Sequence, residues 1–165
     1  MEQVSDSQIK NGPGVAFGFA CFLSHVAGSS TARRLWPHLT YTNDKWIAWA
    51  VGGVIMACGF ALYFRSIQSA FASRKKGQLL TTGEYSWCRH PGYAAILFVF
   101  LPGLTIFRNQ PGALLSVALG WILARSIVYV EEKRLIETFG DAYIEYQQGT
   151  PCLVPYRILA KDRGH

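Results

Sequence analysis

Residues 46–64 read WIAWAVGGVIMACGFALYF, nineteen residues without a charge, bounded by Lys45 and Arg65. A helix needs about twenty apolar residues to cross a hydrocarbon core of about 30 Å, so this stretch predicts a membrane helix. Toward the C-terminus, 92–107 and 112–130 form two more apolar blocks. They are parted by the polar break Arg108-Asn109-Gln110-Pro111, which suits a tight helical hairpin. Toward the N-terminus, 14–29 is shorter and interrupted by Ser24 and His25. A fourth crossing is expected there, with a re-entrant or interfacial helix as the alternative. The expected fold is all-α, a multi-pass transmembrane bundle of about four crossings in one domain over 1–165.

The chain is 165 residues long and half hydrophobic, with a net charge of +6. Its basic residues are scattered through the membrane-flanking loops and form no stripe, so anionic headgroups of the lipid bilayer are the expected counter-charge and nucleic acid is not. The segment from Arg65 to Arg89 carries five basic residues against three (Arg33, Arg34, Lys45) in the preceding loop. That bias predicts a cytoplasmic 66–91 loop, with the region after Val130 on the same side. Residues 1–13 read as a disordered lead-in ending at Gly12-Pro13; with two acids in MEQVSDS a cleaved signal peptide is not expected. The cysteines at 21, 58, 88 and 152 have no CxxC spacing, so neither a zinc site nor a disulfide framework is expected.

Between the second and third apolar blocks lies 79–93, LLTTGEYSWCRHPGY, a polar, turn-rich stretch where chemistry is expected. Pro91 suits the first turn of a helix, because its missing N–H would be unpaired there anyway. His90 then falls near the N-cap, and the N–H groups of Gly92 and Tyr93 point out of a helix end that attracts anions. The plain alternative is a basic interfacial loop with an aromatic belt. Farther on, the pattern of Val128, Leu135, Ile136 and Phe139 extends the last apolar block as one helix over 112–139, capped by Gly140. Glu131 and Glu132 sit where it leaves the hydrocarbon; a solvated exit with Glu131 paired to Arg134 is their simple explanation. Further helical turns carry Tyr143 and Tyr146, and Pro151 and Pro155 break the chain into an extended tail.

TTGEYSWCRHPGY, Glu131-Glu132, FGDAYIEY and Pro155, in this order, resemble the isoprenylcysteine carboxyl methyltransferase family over about residues 77–156. The resemblance implies a membrane enzyme without a Rossmann domain, and the chain has no GxGxxG. It implies methyl transfer from S-adenosylmethionine to the carboxylate of a prenylated C-terminal cysteine, with a cytoplasmic cofactor pocket. The membrane is then endoplasmic reticulum if the source is eukaryotic and plasma membrane if it is prokaryotic. Carried over by position, the implied cofactor residues are Gly77, Gln78, Leu79, Leu80, Tyr85, His90, Pro91, Gly92, Tyr93 and Glu131.

Two positions depart from the family pattern. A histidine is frequent where this chain has Gly77, and an arginine suited to the acceptor carboxylate stands where it has Ile127. Arg125 is the nearby cation, but two helical residues turn it about 200° away. Arg125 and Glu132 are the expected catalytic pair, with Glu132 holding Arg125 near the acceptor while Glu131 serves the cofactor. A carboxylate acceptor needs no base, whereas a phospholipid amine or other lipophilic amine needs one, and the paired glutamates suit that role. A non-catalytic membrane adaptor is the rival from another class.

Overall fold

The computed structural model describes residues 13–154, among which every regular element is helical and no strand occurs. Helix α1 is Pro13–Leu35, α2 is Lys45–Lys75, α3 is Pro91–Phe107, α4 is Leu115–Phe139 and α5 is Asp141–Gly149. Short 3₁₀ turns at Gly83–Ser86 and Pro111–Leu114 lead into the helices that follow. The lead-in and Pro155 lie outside the described residues, apart from Pro13, which opens α1.

The helix α2 and the continuous helical run Pro111–Phe139 are long and apolar enough to cross a membrane. Trp46, Val54, Phe60, Leu115 and Ile122 all face outward, an apolar exterior that suits lipid and not water. The shorter apolar helix α3 runs through the middle of the bundle, with α2 on one flank and α1 and α4 on the other. Its Tyr93, Ile96, Leu97 and Leu101 form the core with Phe17 and Cys21 of α1, Ala124 and Val128 of α4, and Leu153.

Glycines let α2 and α3 approach closely: a Cβ at Gly59 would stand 2.6 Å from the backbone nitrogen of Phe100, and one at Gly103 would stand 2.7 Å from that of Met56. Pro102 cannot donate to the ladder of α3. Just upstream, Leu101 N–H bonds the Ile96 carbonyl, a π turn over Ile96–Phe100 that absorbs the irregularity.

Two boundaries differ from the sequence expectation. The first helix is longer than 14–29, running to Leu35, and within it His25 is fully buried with its Nδ1 2.6 Å from Ser116 Oγ on α4. Ser116 itself donates to the Ala113 carbonyl, which leaves the ring N–H to donate across the interface. His25, which lowers the local apolarity of this stretch, therefore fastens α1 to α4. Likewise 66–75 is the last part of α2 and not loop, because Ser66, Ile67, Ala70 and Phe71 keep one helical face turned to a pocket. The 31-residue helix is thus about 46 Å long and projects beyond the hydrocarbon, as α4 does at its far end.

The polar break is the expected tight turn. Asn109 takes a positive φ of 52°, its Oδ1 accepts from Tyr41 N and Thr42 N, and its side-chain amide donates to the Thr42 carbonyl. At the opposite end of the bundle α2, α3, α4 and α5 converge.

Candidate functional site

At that convergence lies a cavity of about 720 Å³. Tyr63, Ser66, Ala70 and Arg74 of α2 form one wall, Glu131, Leu135 and Phe139 of α4 another, and Tyr143 and Tyr146 of α5 the roof. The link 78–80, with Tyr85, His90, Gly92 and Tyr93, closes the polar end, while Ala16 and Phe19 of α1 stand at the apolar end.

Local chemistry explains how each piece is placed. Lys76 ends α2 and Gly77 turns the chain at φ 63°, a conformation that favours glycine. Gln78 N–H then bonds the Ser73 carbonyl, and Ser73 Oγ donates to the Gln78 carbonyl at 2.6 Å. His90 is the N-cap of α3 and Pro91 its first residue, so the peptide N–H groups of Gly92 and Tyr93 stand at the helix start with no intrahelical acceptor. Gly140, at φ 55°, ends α4 and folds α5 back over the cavity. Tyr146 Oη donates to the Tyr85 carbonyl at 2.6 Å, and Tyr85 Oη in turn exchanges hydrogen bonds with Ser66.

The adjacent glutamates part company, as a helical step of about 100° requires. Glu131 lines the cavity, where Tyr93 Oη donates to its Oε2 at 3.0 Å and Arg74 Nη2 meets its Oε1 at 3.2 Å. Arg74 thus displaces Arg134 as the partner expected from sequence. Glu132 lies behind His90. Its Oε1 accepts from Arg89 Nε at 2.8 Å and lies 3.2 Å from His90 Nε2, and its Oε2 accepts from Gln147 Nε2. Burial opposes ionisation of Glu132, but the His90 and Arg89 hydrogen bonds and charges outweigh it and hold the carboxyl down at about 2.

Arg89 ties the site to the end of the chain. Its Nη1 donates to the carbonyls of Gln147 at 2.9 Å and Thr150 at 2.6 Å. Its backbone N–H bonds the Pro151 carbonyl, and that of His90 bonds the Cys152 carbonyl. Residues 150–153 therefore form a strap against the start of α3, with Leu153 in the core. Burial raises the Tyr85, Tyr143 and Tyr146 hydroxyls above the ordinary range and pushes the Cys88 thiol up to about 11, so all four are neutral near pH 7.

Eight of the ten expected cofactor residues line the cavity: Gln78, Leu79, Leu80, Tyr85, His90, Gly92, Tyr93 and Glu131. Gly77 and Pro91 do not; one is spent on the turn and the other on starting α3. The expected pairing of Glu132 with Arg125 is replaced by one with Arg89, because the 88–90 segment crosses beside Glu132. Arg125 lies toward Cys152 instead and is absent from the cavity lining. Arg74 and Arg89 are cavity residues that the sequence expectation left out; their basicity marked them only as loop charges. The fold also gathers one ligand atom each from His90, Glu132 and Cys152 within 4.8 Å, a grouping invisible at their sequence separation. Arg89 already occupies its carboxylate.

Residues 64–137, which carry most but not all of the cavity lining, match the model of the isoprenylcysteine carboxyl methyltransferase family. The chain is 34% identical over 85 residues to a protein-S-isoprenylcysteine O-methyltransferase of Tribolium castaneum, covering 48% of this chain and 30% of that protein. It is 35% identical over 79 residues to the Homo sapiens protein of the same name, covering 47% and 28%. A nickel-cobalt-cadmium resistance protein, NccN, of Alcaligenes xylosoxydans xylosoxydans is 33% identical over 127 residues, 74% of this chain and 58% of that protein. The chain thus spans about a third of the length of the curated methyltransferases it matches. Through residues 64–137, the chain is similar to the isoprenylcysteine carboxyl methyltransferase family.

Proposed function

We propose that the protein is a membrane methyltransferase that uses S-adenosylmethionine to esterify the α-carboxylate of a prenylated cysteine. The observation that carries this reading is one cavity with two chemistries. Its polar end offers an acid, aromatic rings and a helix start, and its other end is lined by Ala16, Phe19, Ile67, Ala70 and Phe71.

The donor set fits S-adenosylmethionine. Glu131 suits its ammonium or ribose hydroxyls, the N–H groups of Gly92 and Tyr93 suit its carboxylate, and Tyr85, Tyr93 and Tyr146 offer ring faces to sulfonium or adenine. When bound, it would supply an electrophilic methyl carbon on a positive sulfur, which an acceptor oxygen would take up while the electron pair of the broken S–C bond stayed on sulfur. No proton moves, since a carboxylate is already ionised at neutral pH. The residues then have to align the two reactants and exclude water, which the α5 roof and the strap suit. The proposed topology has about four crossings with the cavity facing the cytoplasm, in the endoplasmic reticulum or plasma membrane according to source.

A phospholipid amine is the competing acceptor, and one observation favours it. His90 stands between two carboxylates, with Nε2 3.2 Å from Glu132 and Nδ1 3.9 Å from Glu131, a position from which an ammonium proton could be taken. The test is incubation of the purified protein with methyl-labelled S-adenosylmethionine and N-acetyl-S-farnesylcysteine, phosphatidylethanolamine or a lipid-free acid. Label released from farnesylcysteine by base as methanol is expected. Label confined to the phospholipid amine, or absent from every acceptor, overturns the carboxylate assignment.

A further inference from the structure

We infer that Arg74 is the acceptor-binding residue of this protein: an arginine on α2 that leaves Glu131 and receives the acceptor's carboxylate when the methyl donor binds. The inference rests on the methyl-transfer reading above and adds what that reading lacks, a cation for the acceptor. The α4 position where an arginine was expected is Ile127, which packs against the apolar core. Arg125 is outside the cavity lining.

Among the described residues, the basic side chains of the cavity wall are Arg74, Arg89 and His90. Arg89 is 10% exposed and committed to Glu132 and two carbonyls, so its release would undo the roof. His90 is 6% exposed and wedged between Glu131 and Glu132. Arg74 differs from both. It sits in the last turn of α2 with its side chain 38% exposed, and its guanidinium meets Glu131 at 3.2 Å. A half-exposed arginine pair is cheap to exchange, and the long side chain can turn without moving backbone.

Charge decides the order of events. An ammonium arriving at Glu131 competes with Arg74 for the same carboxylate, and the displaced guanidinium stays within the cavity. It then faces an incoming carboxylate, which it can grip through two parallel N–H bonds. Transfer of the methyl group makes the acceptor oxygen part of a neutral ester, and Arg74 loses its hold on the product while keeping it on fresh acid. One residue thereby couples donor binding to acceptor choice and product release.

The test uses the full chain in detergent, with calorimetry as the readout. S-adenosylhomocysteine, which carries the same amino and carboxyl groups but no methyl, is titrated into wild type, Arg74→Gln and Arg74→Lys. With it saturating, N-acetyl-S-farnesylcysteine and its methyl ester are then titrated. Wild type should bind the acid about tenfold or more tighter than the ester. Arg74→Gln should abolish that preference while binding S-adenosylhomocysteine as well as wild type or better, since Glu131 has lost a competitor. Arg74→Lys should retain part of the preference. If Arg74→Gln keeps the acid preference, or weakens S-adenosylhomocysteine instead, the inference is overturned and the carboxylate acceptor survives. If wild type binds neither acid nor ester, the acceptor reading falls and the inference with it.

Discussion

Replacing Arg89 with leucine should loosen the roof of the cavity before it unfolds the bundle. The guanidinium is 10% exposed, pairs with a Glu132 that is 14% exposed, and donates to two carbonyls at the end of α5. Removing one partner of a buried pair strands the other charge, at a cost of about 3–5 kcal/mol. That cost falls on the docking of 141–154, because Arg89 joins the start of α3 to that segment, whereas the core packing of α2, α3 and α4 is apolar and glycine-mediated and lies away from Arg89. Local opening eased by about 3 kcal/mol lowers amide protection by about two orders of magnitude, unless global unfolding limits it first. Hydrogen exchange read by mass spectrometry in detergent should therefore show α5 peptides exchanging about a hundredfold faster in Arg89→Leu, with α2 and α3 unchanged. Glu132→Gln, which keeps both carbonyl bonds, should show a smaller loss. Unchanged exchange in α5, or a uniform loss over all helices, would refute the idea that Arg89 fastens the roof.

Three further outcomes are expected. Glu131→Gln should weaken S-adenosylmethionine binding by calorimetry about tenfold through loss of a charge-assisted bond, while Glu132→Gln stays near wild type; equal defects would contradict the two-sided arrangement. The folded state holds Glu132 near 2 against an ordinary 4.5, so its contribution to stability is present above about pH 4.5 and is lost as pH falls toward 2. The thermal midpoint in detergent should fall across that window less steeply in Glu132→Gln than in wild type, and parallel curves would exclude the linkage. Gly59→Ala should destabilise by about 1–3 kcal/mol, since its Cβ would stand 2.6 Å from the Phe100 backbone, whereas Gly53→Ala, 3.9 Å from the Phe107 ring, should be tolerated. Chemical unfolding of both variants decides the matter.

The two membrane-capable helices and the polar stretch that lines the cavity were legible because each is local. An uncharged run such as 46–64 answers to membrane thickness, and His90-Pro91 before an apolar block answers to helix-start geometry. The 100° step between Glu131 and Glu132 likewise put one acid in the cavity and the other behind it. What stayed hidden depends on partners far along the chain. Ser24 and His25 lower the local apolarity of α1, and nothing nearby reveals that Ser116 waits on α4 to receive the ring. The end of α2 was missed because 66–76 mixes polar and basic residues, though Ile67, Ala70 and Phe71 already carry the 3–4 spacing that would have extended it. Arg89 was passed over as a membrane-flanking charge, since its carbonyl partners on α5 and the strap have no sequence signature.

The most direct measurement of the central claim, that the cavity between α2, α3, α4 and α5 holds S-adenosylmethionine, is ultraviolet crosslinking of the labelled cofactor to the purified chain, followed by peptide mapping. The account predicts saturable labelling, competed by S-adenosylhomocysteine and confined to peptides containing 78–93 and 131–146. Labelling that is not competed, or that maps to the opposite end of the bundle around 36–44 and 108–114, would contradict it.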